Sequence, residues 1–593
     1  MAAGTDDKTR AFLDGLTDAE ASALRSWLGG AAAPLDFASL HGDHEHGHRP
    51  AGGDLPRPRA DDPQAIRTVG VIGGGTAGYL TALALRAKRP WLEVTLVESK
   101  GLPIIGVGEA TVPSMVPFLH HYLGIDPRHL YEQVRPTWKL GIRFDWGANP
   151  AGFMAPFDWN SNSVGMLGSL ATRGDINAFT LQSLLMMADR APVYRLDDGR
   201  HLSLMKRLPF AYHLDNERFV RFLTELALAR GVQHVEARLQ EAVLSGPDRV
   251  ESLRTDDGRE LRFDMYVDCS GFRSFLLGKT LDVPFRSYAD SLFTDSAVTG
   301  NLGHGDHLKP YTRATTMDAG WCWTIPTPES DHLGYVYSSA HLSDEEAAAE
   351  LARKFPGIGP PRQVRFRVGR RDEAWRGNVF GIGNSYAFVE PLESSGLMMI
   401  TLGVLALVGS LPASWADPTG REVVNAALAQ KWDAIRWFLS LHYKFNDRLD
   451  TPFWRDAREN ADVSGLRPLL DVFAAGAPLR FRDPITRGFL EATAPTFYGL
   501  EGVDCILLGQ NVPARLLPMT EPVELWQARK DAADIMVRRA LPVRDSLHAY
   551  HTVAELHEEL LEDPDSWVVR SGVDRLVVSE PVPARPAAEP VHG

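Results

Sequence analysis

The run Gly73-Gly-Gly-Thr-Ala-Gly78 constrains this chain more than any other feature. It closes a short apolar segment with strand character, Thr68-Val-Gly-Val-Ile-Gly73, and leads into a helix-like stretch from Ala77 to Lys88. A second strand-like run, Leu92-Glu-Val-Thr-Leu-Val97, then delivers Glu98. Strand, glycine turn, helix and strand in this order make a βαβ dinucleotide unit. The first glycine permits the tight turn, Gly75 lets the backbone approach a pyrophosphate, and Gly78 lets helix and strand pack closely. Gly74, Thr76 and Ala77 complete a loop that opens a helix N-terminus, where free N–H groups face the anion. Glu98 follows Gly73 by 25 residues and is placed to accept hydrogen bonds from a ribose hydroxyl. An acid there disfavours a 2′-phosphate, hence NADP, and leaves FAD and NAD unseparated.

At 593 residues the chain is long for one compact core, so two intimately packed domains, or a large core with subdomains, are expected. A formal charge of −14 repels a phosphate backbone at long range and argues against nucleic acid as a partner. Cys269, Cys322 and Cys505 are too far apart for a zinc or CxxC pattern, which points to a reducing cytoplasm. Met1 to Arg10 lacks a signal-peptide profile. The longest apolar run, Gly396 to Leu411, is shorter than the roughly 20 residues that span a bilayer, and reads as a buried core helix. No membrane association is expected.

Residues 1–65 stand apart as an N-terminal appendage: a helical pattern from Thr17 to Leu28, then a flexible His/Gly/Pro-rich linker. Four histidines fall in His41-Gly-Asp-His-Glu-His-Gly-His48, but no second group of ligands accompanies them, and no metal is assigned. Residues 66–412 hold the cofactor-binding core. Within it Asp264–Gly271 and Asn378–Gly383 read as strands returning to the first sheet, and Val235–Val243 as a further strand. Residues 413–580 are mostly helical, with Val423–Leu441 and Val523–Ala540 as the clearest helices, and 581–593 form a disordered Pro/Ala-rich tail.

Closely spaced glycines in Gly106-Val-Gly-Glu-Ala-Thr111 let the chain pass near a large planar cofactor, with Glu109 able to hydrogen-bond it. Further along come Trp138-Lys-Leu-Gly-Ile-Arg-Phe144, Gly320-Trp-Cys-Trp-Thr-Ile-Pro326, Phe388-Val-Glu-Pro-Leu-Glu-Ser-Ser-Gly396 and Thr451-Pro-Phe-Trp454. With these motifs in this order, from about Thr68 to Trp454, the sequence resembles the flavin-dependent halogenases, in the branch typified by tryptophan halogenases. The fold implied is α/β: an FAD-binding Rossmann-like domain of the GR2 type, with an additional sheet and a mostly helical C-terminal substrate domain.

The resemblance implies FAD as FADH2, with O2 and chloride or bromide, and a separate flavin reductase, since only one dinucleotide fingerprint is present. It implies that Trp321, Trp323 and Pro326 lie along the flavin and keep organic substrate from it. Hypohalous acid made at the flavin would be relayed to Lys139, whose amine can hold it. Burial lowers a lysine's pKa and makes the amine more nucleophilic; Trp138, Leu140 and Ile142 are the expected apolar neighbours. Glu393, rather than Glu390, matches the carboxylate that polarises the oxidant or takes the ring proton. The backbone N–H groups of Ser395 and Gly396 would hold the halide, as a helix N-terminus can. Further flavin contacts carried over by position are Ser99, Ala110, Leu239, Asn384 and Leu397. His442 matches a pocket-lining histidine, with a core histidine as the other reading.

The resemblance weakens where tryptophan halogenases place the residues that sandwich the indole. Asp145–Phe157 shows no clear counterpart, and between Leu490 and Gly509 only Phe497 and Tyr498 form an aromatic pair. The expected substrate is therefore an electron-rich aromatic, an indole or phenol in a small molecule or carried on a scaffold, in secondary metabolism such as antibiotic biosynthesis. A homodimer is left open. A flavin monooxygenase that hydroxylates an organic substrate is the alternative, and a non-enzymatic flavoprotein a third; Trp321, Trp323 and Lys139 count against hydroxylation, which has no use for a halide relay.

Overall fold

A computed structural model of the chain describes residues 57–99, 108–157, 180–195, 199–205, 208–304, 307–479, 483–494, 497–517 and 523–553, together with Thr17, Leu556, Val577 and Val578. The His-rich linker, nearly all of the Thr17–Leu28 helical pattern and the Pro/Ala-rich tail lie outside the described residues.

Twelve elements position the site. They are β1 (Thr68–Ile72), α1 (Thr76–Lys88), β2 (Glu93–Glu98), β3 (Gly108–Ala110), β4 (Thr137–Lys139), β5 (Gly141–Asp145), β6 (Ala211–Asp215), β7 (Thr312–Met317), β8 (Gly320–Pro326), β9 (Asp331–Tyr337), α2 (Gly396–Ser410) and α3 (Arg421–Phe445).

The βαβ unit forms as expected. β1 and β2 are buried along nearly their whole length, the signature of parallel strands covered on both faces. They join a six-stranded sheet in the order Gln233–Glu236, β2, β1, Met265–Asp268, Val379–Gly381, Trp375–Arg376, parallel except at the last pairing. The two mid-chain strands thus return to the first sheet. The strand expected over Val235–Val243 is instead two, Gln233–Glu236 and Leu239–Leu244, in different sheets. The break comes where the Ala237 N–H donates to the Glu98 carbonyl at the end of β2, beyond which the sheet has no strand to continue the ladder.

A seven-stranded sheet runs Arg362–Arg365, Ser296–Leu302, β9, β8, β7, β5, Phe153–Pro156. A separate small antiparallel sheet runs β3, β6, β4. The Trp138–Phe144 motif is therefore not one strand. It changes sheets at Leu140, whose N–H donates to the Pro310 carbonyl rather than to a ladder partner.

α2 carries no charged residue over its 15 positions and is the buried helix expected of its sequence. No helix among the described residues is long and apolar enough to cross a membrane. α3 turns a stripe made of Leu428, Trp432, Ile435, Leu439 and His442 inward, a spacing of three and four residues that keeps one face on the core. One apolar cluster runs from Ile66 to Leu556, so the cofactor-binding and helical regions share a core.

Candidate active site

The glycine loop is shaped for a dinucleotide. Gly73 has φ +126°, and a Cβ there would stand 2.3 Å from the Cys269 carbonyl oxygen. A Cβ on Gly78 would meet the Gly73 oxygen at 1.9 Å, so the close helix–strand packing needs glycine. Around Gly75 nothing lies within 4 Å of that point, which is the open approach a pyrophosphate requires. Gly74 has a separate reason: the Glu98 carboxylate lies across it, with Oε2 1.4 Å from a built Cβ. Glu98 is held by His234 Nε2 at 2.7 Å and by the Tyr79 hydroxyl at 3.1 Å, both on Oε1. These residues fit FAD, whose phosphates would lie at the Thr76 and Ala77 end of α1. Gly75→Ala is expected to fold with an unchanged melting temperature and weakened FAD binding, whereas Gly78→Ala loses soluble protein; titration with FAD and thermal melts separate the two.

The other cofactor candidates gather unequally. Gly383 would bring a Cβ to 3.3 Å from Ala77 and 3.4 Å from Ile400, so the turn holding Asn384 is wedged between the start of α1 and α2, beside Leu397. Ser99 is half-buried just past β2. Glu109 and Ala110 lie on β3, and burial pushes the Glu109 carboxyl up to about 7. Leu239 opens the outlying hairpin strand, its carbonyl accepting from Arg273.

Trp321 and Trp323 share one face of β8 by strand alternation, with ring centroids 6.1 Å apart. Trp323 lies flat over Gly334 of β9, where a Cβ would meet its ring at 1.9 Å. β3 packs on this strand, since a Cβ on Gly108 would stand 3.1 Å from Ile325. At the strand's end the Pro326 carbonyl accepts the Thr137 hydroxyl at 2.6 Å. β8 and β4 are thereby joined directly. His213, between the Thr137 and Thr312 hydroxyls, closes this joint, and burial holds it well below the usual histidine range.

Lys139 ends β4 at the change of sheet and is completely buried. Its amine donates to the Thr111 carbonyl at 3.0 Å and sits 5.3 Å from the centre of the Phe157 ring. Burial lowers its pKa from 10.5 to about 7, against the opposing pull of the Glu393 charge. Its apolar setting differs from the one expected: neighbours along a strand point to the opposite face, and Trp138 turns away to donate its indole N–H to Tyr131 at 2.6 Å.

Glu393 is buried, with Oε1 2.8 Å from His442 Nε2 and its backbone carbonyl accepting the Tyr498 hydroxyl at 3.2 Å. His442 is fully buried between Phe144, at 5.0 Å, and Trp146, at 5.9 Å. Ser394 has φ +57°, a costly conformation for serine of the kind that collects at functional sites. It turns the loop into α2, whose N-cap is Ser395 and whose first residue, Gly396, has open space where a side chain would stand. The first-turn N–H groups have no partners within the helix. Thr111, Phe157 and Tyr498 contact Lys139 or Glu393 and were not assigned from the sequence. Phe157 ends the stretch that showed no clear counterpart, and Tyr498 belongs to the one aromatic pair between Leu490 and Gly509.

The family described as tryptophan halogenase matches residues 68–524. The chain is 31% identical over 535 residues to tryptophan 6-halogenase ThaL of Streptomyces albogriseolus, covering 83% of this chain and 99% of ThaL. With tryptophan 7-halogenase RebH of Lentzea aerocolonigenes it shares 31% over 526 residues, 81% of this chain and 97% of RebH. It is also similar to the solved structure of MibH, a lathipeptide tryptophan 5-halogenase, at 65% identity and a TM-score of 0.84, covering 86% of this chain and 98% of MibH.

Proposed function

The chain belongs to the tryptophan halogenase family of flavin-dependent enzymes, and on that premise we propose that it halogenates a tryptophan indole held within a peptide, with Lys139 and Glu393 as the catalytic pair. It is an FADH2-dependent halogenase acting on an aromatic substrate, and enzymes of this family take reduced flavin from a separate reductase. Bound reduced flavin, with O2 and chloride or bromide, supplies hypohalous acid. The protein's own part is to hold the halide, keep the oxidant from the wrong partner and deliver it.

The observation that carries this reading is the setting of Lys139. It is a buried amine, its pKa lowered by burial to about 7, at the seam where the chain passes from the β3, β6, β4 sheet into the sheet that carries Trp321 and Trp323. A neutral amine accepts the O–H of hypohalous acid and can direct the halogen to a ring beside it. Glu393, anchored by His442, takes the proton the ring loses. The N–H groups of Ser395 and Gly396 hold the halide at the start of α2. Trp321, Trp323 and Pro326 form the wall between flavin and substrate.

The peptide-borne substrate rests on the 65% identity with MibH, about twice that with ThaL and RebH. The test is mass spectrometry of full-length protein with a reductase, FAD, NADH and each halide, offered free tryptophan and tryptophan-containing peptides. Halogenated peptide, with free tryptophan a poor substrate, is expected. Faster halogenation of free tryptophan would overturn the substrate reading, and gain of oxygen alone would favour hydroxylation.

A further inference from the structure

Glu390 stands three residues before Glu393, and the chemistry above makes no use of it. Its side chain is completely buried. The Thr294 hydroxyl donates to Oε2, and the Tyr443 hydroxyl and Trp321 indole N–H stand beside the same carboxyl. Neither of the latter two is aligned as a hydrogen bond, and Glu390 Oε1, Trp321 Nε1 and the Tyr443 hydroxyl are all buried without an aligned partner. The four side chains come from four places: the approach to strand Ser296–Leu302, β8, the end of α3, and the loop into α2. We infer that Glu390 is a positioning residue, whose buried carboxyl, bonded by Thr294 and packed beside Trp321 and Tyr443, holds in place the loop that carries Glu393, Ser395 and Gly396. The inference rests on the reading of Ser395 and Gly396 as the halide cradle.

The groups around Glu390 are neutral: Thr294, Trp321 and Tyr443, the last with its hydroxyl held well above the usual phenol range by burial and so protonated. A carboxylate in such a place lacks the cation that would offset its desolvation. Burial accordingly raises Glu390 to about 7. The protonated acid both donates and accepts, which suits a ring of two hydroxyls and an indole N–H. The two glutamates of one loop are thus divided, Glu393 facing Lys139 and His442, and Glu390 facing neutral groups only.

The folded protein holds a proton on Glu390 between about 4.5 and about 7 that the unfolded chain has released, so its contribution to stability is lost as pH rises through that window. Above about 7 the ionised carboxylate loosens the loop, and the rate should fall. Glu390→Gln keeps the shape and cannot ionise; Glu390→Leu removes the acceptor.

The measurement is chloride KM, product formed per NADH consumed, and FAD affinity across pH, with full-length protein, a reductase and whichever of free tryptophan or a tryptophan-containing peptide the wild type halogenates. Glu390→Gln should stay within about threefold of wild type on the acid side and lose the alkaline fall. Glu390→Leu should raise chloride KM about tenfold and lower the product yield, with FAD affinity unchanged, as loss of the buried hydrogen bond from Thr294 predicts. A wild type that chloride does not saturate would defeat the halide cradle. Saturation with a Glu390→Leu variant equal to wild type would overturn the positioning role. Should that variant not fold, Glu390→Gln decides alone: an alkaline fall as in wild type, or a chloride KM raised about tenfold, also overturns it.

Discussion

Replacing Lys139 with methionine is expected to abolish halogenation while the protein still binds FAD and consumes reduced flavin. Methionine fills nearly the same space without a nitrogen, so the substitution removes the amine that donates to Thr111 and little else. The loss should reach at least about 10³-fold, because hypohalous acid not held beside the ring must find it by diffusion. Stability should move the other way. Lys139 is lowered to about 7 from 10.5, so between those values the unfolded chain binds a proton that the folded protein does not. Folding is penalised most at low pH, and stability climbs as pH rises through that window. Without the amine the penalty disappears, a stability gain of several kcal/mol at most, largest at pH 7 and below. Thermal melts should show the variant above wild type near neutrality, with the gap closing toward pH 10. Retained halogenation would refute the role of Lys139, and equal melts at pH 7 would refute the neutral amine. In the wild type, halogenated product per flavin oxidised should fall as pH drops below about 7, as the amine takes up its proton.

The glycine loop was legible because its constraints are local. Gly73, Gly75 and Gly78 each answer to a turn, an open approach or a packing contact within the βαβ unit, and the structure gives each the local geometry its spacing implies. Gly74 was not legible in this way, since its reason is the Glu98 carboxylate lying across it. The motif around Lys139 did not show that Trp138 turns away from the amine to Tyr131. Reading Trp138, Leu140 and Ile142 as its neighbours assumed a single strand, and a change of sheet at Leu140 cannot be seen in a run of apolar residues. The partners that matter, Thr111, Phe157 and Glu393, come from three other segments. His442 shows the same limit: at sequence level pocket lining and core packing competed, and its bond to Glu393 required the fold to bring together residues 49 positions apart. Glu390 was passed over by motif position. What distinguishes it is the neutrality of its surroundings, which no local pattern records.

Glu393→Gln offers the sharpest separation of chemistry from architecture. Glutamine keeps the side chain's shape and its contact with His442 Nε2, while removing the negative charge and the basic oxygen. If Glu393 takes the ring proton, halogenation should fall by about 10² to 10⁴-fold, the range for loss of a general base, with FAD and aromatic binding nearly unchanged. A second consequence follows from the charge. Glu393 raises the Lys139 value against the effect of burial, so its neutralisation lets that value fall further. The acid limb of the residual activity should therefore move to lower pH than in wild type. His442→Ala should act more mildly, about tenfold, because it releases the carboxylate from one hydrogen bond and leaves both its charge and its base in place. Rates near wild type for Glu393→Gln would remove it from the chemistry. A large rate loss with an unmoved acid limb would mean instead that the carboxylate serves the ring and does not set the charge of Lys139, so that burial alone keeps the amine free.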